Sequence, residues 1–167
     1  MGRRLAQCDD EFREFAVEQL NSADILIFGR ITYEGMASFW TTPDAAKNDP
    51  IVARQMNSLP KIVFSRTLKE ATWNNTRLVK ENAAEEVSKL KSQLGEDIGI
   101  LGSANLASDL IRQNLIDEYR IMVNPVVLGE GRPLFEGIEK KIALKLLRTR
   151  NFKSGNVLLY YAPLGSV

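Results

Sequence analysis

The sequence predicts an α/β domain built on one mixed, mostly parallel sheet with a C-terminal antiparallel hairpin. Two observations carry this expectation. Over the first 125 residues, short apolar runs alternate with segments of helical periodicity, which is the pattern of βα units feeding a parallel sheet. After Phe135 the pattern changes to strand, turn, strand. The length agrees: 167 residues fit one domain, 1–167, and such a domain buries roughly 70% of its unfolded surface.

Taken in order, Phe12, Phe15, Ala16 and Leu20 recur at helical spacing, and Asp9 or Asp10 can cap that helix. Asp24 to Phe28 (DILIF) reads as a buried strand, broken by Gly29-Arg30. Thr32 to Trp40 reads as a second helix. Thr41 to Pro50 is polar, holds two prolines and reads as a loop or broken turn. A short helix is expected over Ile51 to Leu59, stopped by Pro60 and followed by the strand Lys61 to Phe64 (KIVF). A short strand follows at Arg77 to Val79. Asn82 is expected to cap a helix reaching about Leu94, with Glu85 and Glu86 favoured by the dipole of its first turn and Gly95 as its stop. Ile98 to Leu101 (IGIL) is a further buried strand, Leu106, Leu110 and Ile111 mark the next helix, and Glu118 to Val123 the next strand. Residues 142–149 and 156–162 form the closing hairpin around Asn151 to Gly155.

Composition narrows the function. Twenty-two basic and 21 acidic side chains give a net charge of +1, with no basic excess suited to nucleic acid. The densest basic cluster, Lys140, Lys141, Lys145, Arg148 and Arg150, reads as a solvated face. With no histidine and a single cysteine, Cys8, the chain lacks the commonest zinc ligand and the commonest neutral-pH base, so a Ser-His-Asp hydrolase and a His-based metalloenzyme are excluded, and no metal ligand is assigned. One cysteine, no apolar run of the ~20 residues a membrane span needs and no secretory leader lead to a cytoplasmic expectation without membrane partners.

Ligands of open α/β sheets bind beyond the carboxyl ends of the strands. Three of those ends carry small, hydroxyl or basic residues suited to an anion. Gly29, Arg30 and Thr32 follow DILIF at a helix start, where free N–H groups meet phosphate. Ser65 and Arg66 follow KIVF and offer a hydroxyl beside a guanidinium, as a ribose 2′-phosphate requires. Gly102, Ser103, Ala104 and Asn105 follow IGIL as a glycine turn opening a helix, though not as GxGxxG. Each alone also reads as an ordinary polar turn; three in a row point to a nucleotide. The run Asn124 to Phe135 (NPVVLGEGRPLF), with Gly129 and Gly131 around Glu130, reads equally as a pocket wall or a rigid connection.

GRITYEGM, KIVFSRTL, ILGSANLASDLI and NPVVLGEGRPLF, in this order and spacing, resemble the stand-alone bacterial relatives of the reductase domain (RibD C-terminal domain) of the bifunctional riboflavin-biosynthesis deaminase-reductase. The resemblance covers about Asp9 to Pro163. It implies a dihydrofolate-reductase-like three-layer fold, NADPH as hydride donor, a small heterocyclic substrate (pterin- or pyrimidine-like, such as a ribosylamino-pyrimidine phosphate) and a homodimer. By motif position, Gly29, Arg30 and Thr32 would bind cofactor phosphates, Ser65 and Arg66 the 2′-phosphate, and Gly102 to Asn105 the pyrophosphate.

This sequence departs from the family in two places. The family opens with a strand inside the sheet and a Ser-Leu-Asp-Gly-type turn beside the nicotinamide. MGRRLAQCD has no β-branched residue and does not supply that strand. Residues preceding Met1, or in second place another chain, are therefore expected to fill the slot. No motif for the ribose phosphate of the riboflavin intermediate is found either.

Hydride transfer is the cofactor's chemistry, but a proton must also reach the substrate. Without histidine its source is Asp9, Asp10, Glu11, Glu34, Glu130, Tyr33 or water, and no catalytic residue is assigned. Asp10, Tyr33, Trp40 and Gly129 are the candidates for the substrate pocket; capping and core packing are the competing roles for Asp10 and for the two aromatics. Two other function classes remain: a nucleotide-binding or regulatory module without turnover, and a structural or oligomerisation domain.

Overall fold

A computed structural model describes residues 10–93, 95 and 97–165. Asp9, the other capping candidate, lies outside the described residues. In chain order the elements are α1 (Asp10–Ser22), β1 (Ala23–Gly29), α2 (Arg30–Trp40), α3 (Pro43–Asn48), α4 (Pro50–Ser58), β2 (Lys61–Phe64), β3 (Thr76–Val79), α5 (Ala83–Lys91), β4 (Asp97–Ile100), α6 (Ala104–Arg112), β5 (Tyr119–Val123), β6 (Leu144–Asn151) and β7 (Val157–Pro163).

β1 is the middle of a four-stranded parallel sheet, ordered β3-β2-β1-β4. Its DILIF run is apolar on both faces because both faces are covered, and Leu26, Ile27 and Phe28 are fully buried. On one face Leu26 and Phe28 pack with Leu20, Tyr33, Val52, Met56 and Trp73, from α1, α2, α4 and the loop before β3. On the other, Ile27 and Ile62 pack with Val87, Leu106 and Leu110 of α5 and α6. The helix–sheet–helix layering inferred from the resemblance is present.

The single mixed sheet is not. β5, β6 and β7 form a separate antiparallel sheet, ordered β5-β7-β6, and no ladder joins β4 to β5. The hairpin expectation is met by β6 and β7. What spans the break is side-chain chemistry: Arg120 of β5 reaches Asp97 of β4 at 3.2 Å and also bonds Gln19 of α1. α1 lies across both sheets, with Leu20 in the core over β1 and Phe15 edge-on to Phe152. Ile98, Ile100, Ile121 and Met122, beside the break, are only half-buried, unlike their counterparts in β1 and β2. β4 and β5 each have one ladder partner among the described residues, so one edge of each is left without backbone pairing there.

Two local expectations also change. Residues 43–48 are helical rather than loop: Pro43 occupies the first turn, where its missing N–H costs nothing, and the Thr42 hydroxyl accepts from Ala45 N at 3.2 Å. α5 stops at Lys91, and Asn82 stands at its N-cap in the left-handed region (φ 55°) without a side-chain capping bond. Leu94 lies outside the described residues.

Lys61 opens β2 yet is 1% exposed. Its Nζ donates to the carbonyls of Met56 at 2.8 Å and Leu59 at 2.7 Å, closing the end of α4, and stands 4.7 Å from the centre of the Trp73 ring. A cation there suits the negative end of the helix dipole.

Candidate functional site

The three strand ends singled out above converge at one end of the parallel sheet. The ladder puts Gly29 of β1 beside Phe64 of β2, and Ile27 beside Ile100 of β4. The turns that follow are therefore neighbours. Gly102 and Ser103 both have positive φ (64° and 56°), which turns the chain sharply into α6. That turn brings Ser103 against the start of α2: Gly29 N donates to Ser103 Oγ at 3.0 Å, and Ser103 N donates to Thr32 Oγ1 at 3.1 Å.

This reciprocal pair has an electrostatic consequence. The Ser103 hydroxyl serves α2 instead of capping its own helix, and neither α2 nor α6 has a side-chain capping bond at its N-terminus. Neither carries an acidic residue in its first turn, like α4 and unlike α1, α3 and α5. Two positive helix ends with open N–H groups are thus tied side by side, an arrangement that receives an anion. Gly29 itself has ordinary room: an added Cβ would lie 3.9 Å from Ser103 Cβ and Leu106 Cβ.

The β2 turn supplies charge. Ser65 Oγ accepts from Thr67 N at 3.2 Å and Leu68 N at 2.9 Å, so this hydroxyl builds the turn. Arg66 beside it is exposed and makes no ion pair or hydrogen bond among the described residues. Thr67, Leu68, Lys69 and Glu70 line an open cleft of about 580 Å³ together with Arg30 and Glu34, which pair at 2.9 Å. Arg30 therefore faces the cleft with its charge partly engaged by its own helix.

The substrate-pocket candidates fare differently. Tyr33 is 3% exposed and its hydroxyl accepts from Trp73 N at 2.9 Å, so it belongs to the core and not to a pocket wall. Trp40 packs against the same core and edge-on to Phe39. Both occupy the inward stripe of α2, which the helical spacing of Tyr33, Met36, Ala37 and Trp40 makes apolar. Asp10 opens α1 with its carboxylate exposed and paired with Arg13 at 3.3 Å. Gly129 is exposed at φ 78° with open space around it.

Among the proton-source candidates, Glu11 accepts from Lys153 N at 2.7 Å, and Glu34 pairs with Arg30. A residue that the sequence did not single out is Arg132: it donates to Asn105 Oδ1 at 2.7 Å and pairs with Glu136. With Ser108 Oγ on Glu136 O and Arg112 on Gly137 O, it straps the segment after β5 onto α6 beside the anion-receptive turn. The charged residue inside GEGRPLF was the available signal. Among the described residues no cluster of metal ligands occurs, and no helix is long and apolar enough to cross a membrane.

Comparison with known proteins shows the family. The model of the RibD C-terminal domain family matches residues 5–158. The Bacillus subtilis protein YyaP, itself uncharacterised, is 37% identical over 142 residues, spanning 85% of this chain and 75% of its own. Among solved structures, a Shewanella sp. PV-4 protein named for riboflavin biosynthesis superposes with a TM-score of 0.69 at 20% identity, covering 98% of this chain and 83% of that one. A pyrimidine reductase-like protein from Corynebacterium diphtheriae gives 0.64 at 13% identity, covering 98% and 84%. At these identities the two structures establish the fold.

Proposed function

The chain belongs to the RibD C-terminal domain family, and on that footing we propose that it is an NADPH-dependent reductase of a small, pyrimidine- or pterin-like heterocycle. The observation that carries the reading is the pair of uncapped, acid-free helix starts joined through Ser103, with the unpaired Arg66 at the adjacent strand end. The residues fit a dinucleotide phosphate group. The first turns of α2 and α6 supply N–H donors for the pyrophosphate, Arg30 adds charge, and Arg66 stands where a 2′-phosphate distinguishes NADP from NAD.

When bound, the nicotinamide supplies the hydride. This chain's residues bind and orient. Ser103 holds the two helix starts in fixed relation, so that the phosphates seat without rearranging backbone. Asn105 and Arg132 hold the segment after β5 against the first turn of α6. Tyr33, buried in the core over β1, is out of a substrate's reach, and water is the proposed proton source.

A thermal-shift comparison of NADPH, NADH, FAD and FMN tests this. NADPH is expected to raise the melting temperature most, and oxidation of NADPH by a heterocycle panel to follow. Binding without oxidation would favour the regulatory module; no response to any of the four would remove the nucleotide reading.

A further inference from the structure

Four buried side-chain polar atoms have no hydrogen-bond partner among the described residues, and three of them belong to one corner of the antiparallel sheet: Asn124 Oδ1, Ser154 Oγ and Asn156 Nδ2. The ladder of β5 with β7 runs as far as the pair Val123 and Val157, so Asn124 and Asn156 stand opposite each other one step beyond it. By the alternation of the strands they continue the side of Met122 and Leu158, the face that packs with Phe15 of α1. The hairpin turn between β6 and β7 folds over the same place, where a Cβ on Gly155 would lie 3.3 Å from Pro125 Cγ. The first turn of α1 borders the corner, with Glu11 Oε2 accepting from Lys153 N at 2.7 Å. Asn156 is 2% exposed, and Asn124 and Ser154 are half-buried.

This corner lies at the same end of the molecule as the three anion-suited turns. β5 runs beside β4 in the same direction: Arg120 near its start reaches Asp97 at the start of β4, and Arg132 beyond its end reaches Asn105 in the first turn of α6, which follows β4. Asn124 therefore stands at the carboxyl end of β5, where open α/β sheets receive their ligands. The fold itself does not use the three atoms. The hairpin turn is held by backbone bonds, Phe152 N on Asn156 O and Gly155 N on Phe152 O, both at 2.9 Å. Buried polar groups are otherwise hydrogen-bonded, because each one left dry lowers stability.

We propose that Asn124, Ser154 and Asn156 form a substrate subsite for the ring amide of a heterocycle, an N–H beside a C=O as in pyrimidinediones and pteridinediones. The inference rests on the heterocycle-reductase reading above and supplies that substrate with contacts. Asn124 Oδ1 accepts from the ring N–H, and Asn156 Nδ2 donates to the ring carbonyl. An acceptor and a donor on facing strand positions match the two opposite signs of such an edge. Ser154 Oγ, which can donate or accept, meets a further polar atom of the ring. Both asparagine amides turn about a soft χ2, so they reach the ring without backbone movement. A carboxylate or phosphate fits worse, because it would set an acceptor against Asn124 Oδ1.

Lumazine, a pteridinedione with ring amides, and 1,3-dimethyllumazine, which lacks their N–H groups, test the subsite. In ¹H–¹⁵N spectra of the wild type, lumazine should move the side-chain amide signals of Asn124 and Asn156. Dimethyllumazine should bind about 10-fold more weakly. Asn124→Leu and Asn156→Leu should each weaken lumazine binding about 5- to 10-fold and leave NADPH affinity unchanged. Each removes an unpartnered polar atom, so each variant should melt at or above the wild-type temperature, whereas asparagines that merely hold the hairpin would melt lower when replaced. Should a variant fail to fold, the comparison of the two ligands on the wild type decides alone. A wild type that fails to bind NADPH while lumazine still moves both asparagine signals would remove the cofactor reading and retain the subsite. No lumazine binding at millimolar concentration, equal affinity for the two ligands, or lumazine shifts away from both asparagines would overturn the proposal. Leucine variants that melt lower and bind lumazine as the wild type does would overturn it too.

Discussion

Single side chains at the candidate site divide into those that build it and those left over to bind. Ser103, Thr32 and Ser65 spend hydroxyl contacts on the turns themselves. Arg66 has no partner among the described residues. A charge-assisted hydrogen bond contributes about 1.5–3 kcal/mol, so Arg66→Ala should weaken NADPH binding by roughly 10- to 150-fold. NADH, which lacks the 2′-phosphate, should be nearly unaffected; calorimetric titration of both cofactors checks this, and an equal loss for both would remove the 2′-phosphate role.

Lys61 makes a second residue-scale prediction. Burial pulls its ammonium from 10.5 down to about 8. The folded value lies below the unfolded one, so between pH 8 and 10.5 the unfolded chain holds more protons, and stability rises with pH across that window. The gain amounts to at most about 3 kcal/mol, since the carbonyls of Met56 and Leu59 hold the charged form and oppose it. Denaturant titrations at pH 8 and 10 should show the wild type gaining on Lys61→Met; parallel behaviour would contradict the assignment.

At the scale of elements, the strands inside the parallel sheet were legible in the sequence because burial on both faces makes them continuous apolar runs, as in DILIF and KIVF. The order of the three anion-suited turns was legible for the same reason, since each follows such a run. Helix α3 was not: it is six residues long, and the two prolines of residues 41–50 read as loop although Pro43 sits in the first turn of α3 and Pro50 in that of α4, where proline is tolerated. Nor was the role of Tyr33, because a helical aromatic stripe looks the same whether it faces core or ligand; Trp73, 40 residues away, decides it. The contact of Ser103 with Gly29 joins positions 74 apart, and no local pattern encodes it.

The break between β4 and β5 falls on the same scale. Backbone groups along an unpaired strand edge exchange with solvent. The outer edges of β4 and β5 have no ladder partner among the described residues, so amides of Ile98 to Ile100 and Tyr119 to Val123 should exchange markedly faster than those of Leu26 to Phe28, as read by hydrogen–deuterium exchange. Equal protection of β1, β4 and β5 would contradict open edges there.

At the scale of the whole molecule, the proposed function rests on three turns at one end of the parallel sheet acting as a single dinucleotide site, held together by Ser103 and served by Arg66. The fold serves it by placing β1 between β2 and β4, so that residues far apart in sequence become neighbours at one sheet end. The antiparallel sheet takes no part in that site. The most direct test is a ¹H–¹⁵N correlation titration of the chain with NADPH. Shifts should concentrate at Gly29 to Thr32, Ser65 to Thr67 and Gly102 to Asn105, moving together with one dissociation constant. Shifts confined to one turn, or centred on another surface, would contradict the claim.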